Sequence, residues 1–578
     1  MGSSDLLTSR QRQDPRPWLR SYGKVPTSLG YPTGSLYDVV AAHALHVPDA
    51  DAVACEFFGN RMTYTELVEA IDRCAAALAA LGLVAGDRLL ISMPTTPQGV
   101  IAFYAANRLG VVPAMIHPLS TTAEITHYLD RTGARVALVL DAFYPALAAA
   151  TPRLPLRAIV VANIADCLSL TQKAGYWLTK GWRIARVPAG GRVHRWKQWL
   201  LNGTHPAPRP EFGAGHPAAI LFSGGTTALP KGIVLSNHNF IAQGLQAITW
   251  GGLGANDSIL AILPIFHGFG LAVCVNAALM AGGKTILVPQ FSADIVARLI
   301  RKSRPTVLVG VPTLFDALNR HAGMALADLS CLKVCFCGAD TLSRQVKERF
   351  EALVKQGRGN VKLLQGYGLT EAVAGIMAMP LDGYREGSIG VPLPDMYAKI
   401  CPVGSIDEAA VGVDGEICLS GPAVMEGYLD DAESTAMALR THADGRVWLH
   451  TGDIGHCDQD GYFYFTARLK RMIKSSGFNV FPAQVEEVLR DHPAVADACV
   501  VGVADDSQVE RVVACVVLRD KTAAKPALAE ELIAHCRDRL IKWSCPREIE
   551  FVDGLPLTRI GKIDYRELVR RHGEAVGR

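Results

Sequence analysis

The chain has 578 residues, of which 49% are hydrophobic and 20% are charged, and its formal net charge at pH 7 is +3. A chain of this length is too long for one hydrophobic core, so several domains or subdomains are expected. The small net charge argues against a general nucleic-acid-binding protein, and the composition excludes a mainly disordered one.

The fourteen cysteines are scattered along the chain without a C-x-x-C pair. Cys331, Cys335 and Cys337 alternate within an apolar run that has no histidine nearby, which favours buried free thiols over a zinc site. The N-terminal residues lack an apolar core of signal-peptide length, and glycines and a lysine at 282–284 interrupt the apolar stretch 271–288. We therefore predict a cytoplasmic protein.

Short apolar runs alternate with amphipathic helical patterns along the first part of the chain. The runs RLLISM, VVPAMI and VALVL predict strands, and the intervening QGVIAFYAANRLG and TAEITHYLDRTG predict helices. This alternation is typical of βα units that build largely parallel sheets.

A basic, glycine-containing stretch from Gly461 to Asn479 precedes a different pattern near the end of the chain. There, PAQVEEVLRDHPAVADACVVGVADD predicts a helix followed by a strand, in a region of normal domain size. We therefore predict an α/β and α+β multidomain protein. Its large N-terminal domain, residues 1–469, contains βα subdomains with sheets sandwiched by helices, and residues 470–578 form a small α+β domain.

Residues 172–210, here called the Trp-rich segment, differ in composition from the rest of the chain. The segment contains no Asp or Glu, but it holds eight Lys or Arg residues and four of the eight tryptophans. Basic side chains attract anionic lipid headgroups and tryptophan favours the membrane interface, so one hypothesis is peripheral contact with an anionic membrane at its inner face. The alternative is a solvated basic excursion whose tryptophans pack on the main domain.

The loop SGGTTALPKG, residues 223–232, directly follows the apolar strand PAAILF. Small residues let backbone N–H groups approach an anion, hydroxyls donate to phosphate oxygens and a lysine neutralises charge, so the loop resembles a polyphosphate cradle. It is not the P-loop of kinases and GTPases, because Lys231 lies between a proline and a glycine. A plain surface turn is the alternative.

Seven further motifs follow this loop. In chain order they are LPIFHGFG, GADTL, QGYGLTEA, GEICLSGPAVMEGYLD, HTGDI, RLKRMIK and PLTRIGK. Together they resemble the adenylate-forming, acyl-activating enzymes, a family that includes acyl-CoA synthetases, nonribosomal peptide synthetase adenylation domains and firefly luciferase. The resemblance covers nearly the whole chain and, in SGGTT and FPAQVEEVLRDHP, extends to bacterial long-chain fatty acyl-CoA ligases. It departs at Ala228 and Ala467, where the family usually has glycine.

The resemblance implies an ATP-dependent ligase that forms an acyl adenylate, releases pyrophosphate and then passes the acyl group to coenzyme A. The first step drives a weak carboxylate nucleophile onto the α-phosphate, so it depends on charge neutralisation and alignment. The implied catalytic residues are Lys562, Thr226, Lys231 and His267. The implied ATP and AMP contacts are Ser223, Gly224, Gly225, Thr226, Thr227, Lys231, Gly338, Ala339, Asp340, Gly366, Tyr367, Gly368, Thr370, Asp453 and Arg468.

The implied roles of several of these residues suit their side chains. Glu371, together with Thr226, would bind Mg2+, a hard cation that prefers oxygen ligands. Tyr367 would stack on adenine, and Asp453 with Arg468 would grip the ribose hydroxyls. The alternatives are a solvated loop carboxylate at Glu371 and a buried core tyrosine at Tyr367.

Lys562 carries the most specific implied role. In PLTRIGK it would reach the carboxylate and α-phosphate oxygens, where a positive charge offsets the negative charge of the transition state. His267 would line the entrance to the carboxylate site. Simple alternatives are a surface lysine after a glycine turn and a histidine packed among aromatic side chains.

Transfer of the acyl group to a thiol needs a second arrangement of the same site. The family rotates its small C-terminal domain as a mobile lid about one hinge residue, which aligns with Lys470. The implied coenzyme A contacts are Lys474, Ser476 and Gly477, where the missing side chain would let the pantetheine arm pass close to the backbone.

The resemblance to long-chain ligases implies a fatty acid as the substrate, and the small net charge predicts no nucleic-acid partner. One alternative is a fatty acyl-AMP ligase that loads a carrier protein, although the extra insertion usual in such enzymes is not seen between Gly427 and Phe465. A luciferase-like oxidoreductase and a catalytically inactive lipid-binding protein are the alternatives from other classes.

Overall fold

The computed structural model describes residues 16–46, 51–151, 156–179, 181–184, 187–188, 190–223, 230–475, 478–505, 509–557 and 563–576. The chain divides into two compact units. Unit 1 comprises Met1–Tyr397 and Ser420–Arg440, and unit 2 comprises Ala398–Leu419 and Thr441–Arg578. The predicted domain boundary between residues 469 and 470 lies inside unit 2 and stays a prediction.

Strands make up much of both units. They are β1 Val53–Phe57, β2 Asn60–Thr63, β3 Arg88–Ser92, β4 Val112–Met115, β5 Val136–Leu140, β6 Ala158–Ala162, β7 Val193–Arg195, β8 Pro217–Phe222, β9 Gly232–Ser236, β10 Ser258–Ala261, β11 Lys284–Leu287, β12 Val307–Gly310, β13 Val334–Cys337, β14 Leu363–Gly368, β15 Gly375–Ala378, β16 Val391–Pro392, β17 Tyr397–Cys401, β18 Gly415–Ser420, β19 Gly427–Tyr428, β20 Leu439–Thr441, β21 Val447–Cys457, β22 Phe463–Arg468, β23 Ile473–Ser475, β24 Phe478–Val480, β25 Val495–Asp505, β26 Val509–Leu518 and β27 Glu548–Phe551.

Helices connect these strands. The α-helices are α1 Leu36–His46, α2 Tyr64–Ala80, α3 Pro97–Arg108, α4 Thr122–Thr132, α5 Tyr144–Ala150, α6 Leu170–Thr179, α7 Trp196–Leu200, α8 Asn237–Gly251, α9 Ala277–Met280, α10 Ala293–Ser303, α11 Pro312–Asn319, α12 Ala322–Ala325, α13 Arg344–Gln356, α14 Ala432–Ala438, α15 Pro482–Arg490, α16 Pro526–Arg537 and α17 Tyr565–Val576. A π-helix spans Phe269–Asn276. Short 3-10 helices span Pro17–Tyr22, Asp141–Phe143, Ile164–Cys167, Gly181–Arg183, Thr370–Ala372, Leu469–Arg471 and Lys521–Ala523.

Unit 1 contains two large sheets that are mainly parallel. The nine-stranded sheet has the order β16-β15-β14-β13-β12-β10-β11-β1-β2, and the strands from β14 to β1 in that order run parallel. The eight-stranded sheet has the order β19-β9-β8-β4-β3-β5-β6-β7. The strands from β8 to β7 in that order run parallel, β9 pairs antiparallel with β8, and β19 pairs antiparallel with β9. The predicted largely parallel α/β architecture is confirmed.

The predicted elements early in the chain are also confirmed. RLLISM, VVPAMI and VALVL form β3, β4 and β5, and the two helical patterns between them form α3 and α4. Helix α4 begins at a capping box, in which Thr121 and Glu124 each bond to the other's backbone N–H, and ends at Gly133 with φ of 61°. The capping box and the glycine thus lie at the two ends of the helix that the spacing of the apolar residues predicts.

The core of the nine-stranded sheet lies between its strands and helices α11 and α13. Phe315 on α11 and Phe350 on α13 are both fully buried, and their rings meet edge to face with centroids 4.8 Å apart. The central strands VLVG and VCFC are apolar at nearly every position because helices cover both faces of a parallel sheet.

Unit 2 contains two five-stranded sheets. One has the order β17-β18-β21-β20 with β22 also paired to β21, and the other has the order β24-β23-β26-β25 with β27 paired to β26. The predicted helix PAQVEEVLR is α15, and its Val485 and Leu489 are buried against the second sheet. The predicted α+β fold of the C-terminal region is confirmed.

The Trp-rich segment forms short, interrupted elements rather than one continuous helix. Helix α6, which begins two residues before the segment, is followed by the 3-10 turn Gly181–Arg183, β7 and α7. Trp196 and Trp199 are buried and pack against each other, whereas Trp177 and Trp182 are 50% and 66% exposed. Within the described residues, no helix is both long enough and apolar enough to span a bilayer.

Replacement of Phe315 by alanine should destabilise unit 1 strongly. Truncation of a fully buried phenylalanine costs about 3–5 kcal/mol, because the lost contacts leave a cavity that the core fills only in part. Urea unfolding followed by circular dichroism measures this loss. As the matched control, Leu326→Ala removes a side chain that is 81% exposed and should change the free energy of unfolding by less than about 0.5 kcal/mol.

Candidate active site

The ends of the predicted phosphate loop lie on the β8–β9 hairpin of unit 1. The backbone N–H of Ser223 donates to the Lys231 carbonyl at 3.0 Å, and the Lys231 N–H donates to Ser223 Oγ at 3.4 Å. These bonds hold the two ends of the loop together. The predicted loop residues Gly224, Gly225, Thr226 and Thr227, and the departure at Ala228, lie outside the described residues.

Lys231 is held at the start of helix α14. Its ammonium group donates to Ser434 Oγ, lies 3.6 Å from Asp431 Oδ2 and sits 5.0 Å from the centre of the Tyr428 ring. Asp431 also caps α14 by accepting from the backbone N–H of Ser434 at 3.0 Å. The lysine is therefore oriented by a helix cap about 200 residues away in the sequence.

Glu371 is connected to the same group through Tyr428. The Tyr428 hydroxyl donates to Glu371 Oε1 at 3.0 Å, and the neighbouring Thr370 begins the short 3-10 helix that carries Glu371. Burial, and then the Glu371 carboxylate, raise the pKa of Tyr428 well above its usual value, so its hydroxyl stays protonated and donates. Sequence reasoning quoted the motif that contains Tyr428 but assigned it no role.

The turn GADTL and the strand QGYG meet at the carboxyl ends of β13 and β14. Gly338 follows β13, and a Cβ there would lie 3.0 Å from the Gly366 carbonyl oxygen. Ala339 adopts a left-handed backbone with φ of 71°, and Asp340 turns its carboxylate to the Thr341 N–H at 2.8 Å. The structure thus brings the two predicted adenine-site segments side by side.

An apolar cavity of about 110 Å³ opens at these segments and extends into unit 1. It is lined by Gly338, Ala339, Tyr367 and Gly368 and by residues of α8, the π-helix and strands β10, β12 and β13. Tyr367 is 9% exposed, so it is a mostly buried tyrosine whose remaining surface faces the cavity.

The apolar wall of the cavity was not identified from the sequence. It includes Trp250, Ile259, Val307 and Val334. No motif signals them, because apolar residues on a strand or helix look the same whether they face a core or a cavity.

His267 of LPIFHGFG also lines the cavity. The following Phe269 donates its backbone N–H to His267 Nδ1 at 3.3 Å, and Phe266 packs against His117 with ring centroids 4.4 Å apart. A Cβ on Gly268 would lie 1.7 Å from the Val373 carbonyl oxygen, so only glycine fits there. His267 thus lies next to aromatic residues in the sequence and also lines the cavity.

In unit 2, the predicted ribose contacts lie opposite each other on paired strands. Asp453 on β21 is in register with Arg468 on β22, and Arg468 Nε lies 2.9 Å from Asp453 Oδ1. Asp453 is 1% exposed, whereas the Arg468 side chain is 57% exposed. Ala467, the second departure from the family pattern, is buried on β22.

The predicted hinge and coenzyme A residues are described only in part. Lys470 lies in the 3-10 turn Leu469–Arg471, and Lys474 on β23 donates its backbone N–H to Glu510 Oε2 at 2.7 Å. Ser476, Gly477 and Lys562 lie outside the described residues. Their roles, like those of the other predicted site residues, stay predictions.

Comparison with known proteins identifies the family. The profile described as "AMP-binding enzyme" matches residues 40–429, and that described as "AMP-binding enzyme C-terminal domain" matches residues 484–562. The chain is 33% identical to the long-chain-fatty-acid–CoA ligase of Bacillus subtilis (strain 168), over 97% of this chain and 99% of that protein. It is 32% identical to the long-chain-fatty-acid–CoA ligase of Escherichia coli O6:H1, over 95% and 97% of the two chains.

Solved structures agree with these matches. The ATP-bound crystal structure of MatB from Rhodopseudomonas palustris superimposes with a TM-score of 0.79 at 26% identity, covering 93% of this chain and 99% of that one. The sequence resemblance is therefore confirmed over nearly the whole chain. This chain belongs to the family of AMP-binding, adenylate-forming enzymes, within its group of acyl-CoA ligases.

Proposed function

We propose that the chain is an ATP-dependent long-chain fatty acid:CoA ligase. It converts the acid to an acyl adenylate with release of pyrophosphate and then forms the acyl-CoA thioester. The observation that carries this proposal is the apolar cavity that opens at Gly338 and Tyr367 and runs into unit 1. Its walls offer an alkyl chain dispersion contacts and removal from water, and residues of the proposed adenylate site line part of it.

The length of the cavity wall supports an extended apolar substrate. Gly338 and Val334 both line the cavity and are four residues apart in the sequence, Val334 at the start of β13 and Gly338 directly after its end. At about 3.3 Å per residue, this part of the lining spans roughly 13 Å. An acid whose chain runs along this wall buries more methylene groups than a short acid does, at about 0.8 kcal/mol each.

The residues around Glu371 suit a magnesium ion bound to ATP. Glu371 offers a carboxylate, and the Tyr428 hydroxyl holds one of its oxygens in place. Bound Mg2+ would neutralise phosphate charge. Lys231, already oriented by the cap of α14, would hold the departing phosphates with the hydroxyls of Thr226 and Thr227.

Asp453 would accept hydrogen bonds from the two ribose hydroxyls of the adenylate. Its paired Arg468, with Nε 2.9 Å from Asp453 Oδ1, would orient the carboxylate. Lys562 would place its positive charge on the carboxylate and α-phosphate oxygens during adenylation. A rotation about Lys470 would then withdraw Lys562 and bring Lys474, Ser476 and Gly477 to coenzyme A.

The proposal is tested by pyrophosphate release over a panel of C2 to C20 and aromatic acids, with and without coenzyme A. We expect the highest kcat/KM with acids of twelve or more carbons and acyl-CoA as the product. Activity confined to short or aromatic acids would contradict the long-chain assignment. Accumulation of acyl-AMP that only a carrier protein can discharge would instead indicate a carrier-loading enzyme.

Substitution Lys562→Ala should abolish acyl-AMP formation and spare thioester formation from supplied acyl-AMP. The physical reason is that Lys562 serves only the adenylating orientation, where it offsets transition-state charge. Loss of one preorganised charge contact of this kind typically costs about 100- to 1000-fold in rate. Pyrophosphate release and the conversion of synthetic acyl-AMP to acyl-CoA measure the two steps separately.

Gly477→Leu is the matched control because it should have the opposite effect. A leucine side chain in the proposed pantetheine path should block thioesterification. Pyrophosphate release should stay within about twofold of wild type, because Gly477 is proposed to serve only the second step. Equal loss of both half-reactions in either variant would refute the two-orientation assignment.

Substitution Val334→Phe should shorten the acids that the enzyme accepts. The phenyl ring would take up space at the Val334 wall of the cavity, where the last carbons of a long chain are proposed to lie. Each methylene that the ring displaces from the cavity loses about 0.8 kcal/mol of burial free energy. For a C16 acid, we therefore expect kcat/KM to fall tenfold or more. A C8 acid should be affected less than threefold.

The matched control for this variant is Cys335→Val. Cys335 is the next residue on the same strand, but it faces the core shared with α11 and α13 and does not line the cavity. Both acids should keep their relative rates in this variant. A similar loss for C8 and C16 in Val334→Phe would mean that the cavity does not bind the acyl chain.

We also propose that the Trp-rich segment contacts anionic membranes, where long-chain acids concentrate. On α6, Leu170, Ala174, Trp177 and Leu178 are all exposed and recur at i, i+4, i+7 and i+8, so they form one apolar stripe. The exposed Trp182 adds an aromatic ring next to this stripe in sequence, with the Arg183 guanidinium 4.9 Å from its centre. An exposed apolar stripe with basic neighbours is typical of interfacial helices.

A triple variant with serine in place of Trp177, Leu178 and Trp182 should bind phosphatidylglycerol vesicles at least tenfold more weakly than wild type. Co-sedimentation at ~0.1 M salt measures this binding. Trp196 and Trp199 are excluded from the test because they are buried and their loss would disturb packing. Leu326→Ser, another highly exposed leucine of unit 1, is the control and should bind as wild type does. Equal binding by all three proteins would leave the segment without a membrane role.

A further inference from the structure

A cluster of three metal-ligating side chains lies in unit 2, on elements that carry no predicted site residue. Cys515 is on β26, Glu550 on β27 and His572 on α17. Cys515 Sγ lies 3.7 Å from Glu550 Oε2 and 3.7 Å from His572 Nε2, and these two atoms are 2.9 Å apart. Three elements distant in sequence thus direct one sulfur, one nitrogen and one oxygen to a single point.

The separations match those expected around one zinc ion. Zinc bonds of about 2.3 Å to sulfur and about 2.0–2.1 Å to nitrogen or oxygen, arranged tetrahedrally, separate the ligand atoms by roughly 3.3–3.6 Å. The two sulfur distances differ from this range by about 0.1 Å, and the nitrogen–oxygen distance needs to lengthen by about 0.4 Å. Rotation of the partly exposed Glu550 carboxylate supplies that change.

Charge and access also suit a cation. The Glu550 side chain is 47% exposed and His572 is 11% exposed, so an ion reaches the cluster from solvent. Cys515 is fully buried in the small core around Leu568, and its sulfur is directed toward the two polar side chains. A thiolate and a carboxylate together offset the two charges of zinc, and neutral imidazole completes a common ligand set.

We propose that Cys515, Glu550 and His572 form a zinc-binding site. Zinc forms bonds to Cys515 Sγ, Glu550 Oε2 and His572 Nε2, and the thiol proton passes to solvent as the thiolate forms. Water from the exposed Glu550 side takes the remaining position. The site fixes α17 to β26 and β27, and α17 begins three residues after Lys562.

A second cluster, Glu416, Cys418 and His450, serves as the internal comparison. All three residues are buried. The second nitrogen of His450 is hydrogen-bonded to His442 at 2.9 Å, and Glu416 Oε1 accepts the Gly452 N–H at 2.9 Å. The cluster is a closed hydrogen-bonded network of the protein and offers an ion no exposed ligand.

The test uses the full chain after chelator treatment, titrated with zinc alone against a chromophoric chelator. We expect one tight zinc per chain, and with cobalt in its place a thiolate-to-metal charge-transfer band and the d–d bands of tetrahedral coordination. Cys515→Ser and His572→Gln should each weaken zinc binding by about 100-fold or more and remove the charge-transfer band or shift the d–d bands. Melting temperatures of the chelator-treated variants show that they remain folded.

Two thiol variants control for the other cysteines. Cys499 lies directly opposite Cys515 in the β25–β26 register, but its sulfur faces the Arg471 guanidinium at 3.8 Å, so Cys499→Ser should keep zinc binding within about threefold. Cys418→Ser in the second cluster should do the same. Absence of a tight zinc site in the wild type, or a site that survives in His572→Gln and is lost in Cys418→Ser, would overturn the proposal. Zinc binding is measured without substrate, so either result is independent of the proposed ligase activity.

Discussion

The close approach of the Gly268 backbone to the Val373 carbonyl is the contact on which the candidate site of unit 1 depends. A Cβ at residue 268 would overlap that oxygen, and Val373 itself adopts a left-handed backbone with φ of 64°. The contact joins the segment that carries His267 to the turn that carries Glu371. The cavity wall formed by His267, Phe269 and Val373 is therefore positioned by a contact of backbone against backbone, which is far less adjustable than contacts between flexible side chains.

The Lys231 side chain is also positioned by a segment distant in sequence. An ammonium group without partners would sample many rotamers, whereas here a capped helix supplies a carboxylate and a hydroxyl at its tip. The same Asp431 that caps α14 therefore also orients the lysine. Because Tyr428 bridges toward Glu371, the proposed phosphate and metal ligands are part of one connected network rather than independent side chains.

The fold and the family were predictable from the sequence because their signals are local. Apolar period and caps define β3 to β5 with α3 and α4, and ordered motifs define the family. Features that depend on contacts between distant segments were not predictable. Spacing alone does not show that Cys515 and His572 converge, nor that Trp196 is buried while Trp182 is exposed. Likewise, Tyr428 gains its importance only from neighbours on other elements.

Strand β13 borders both the apolar cavity and the hydrophobic core of the nine-stranded sheet. Successive side chains of the strand point to opposite faces. Val334 and Phe336 border the cavity, Cys335 packs into the core with Phe315 and Phe350, and Cys337 belongs to both surroundings. Substitutions at Val334 or Phe336 therefore alter the cavity wall and leave the Cys335 side chain and its core contacts in place. The strand can thus carry a change in one of its two surroundings without a compensating change in the other.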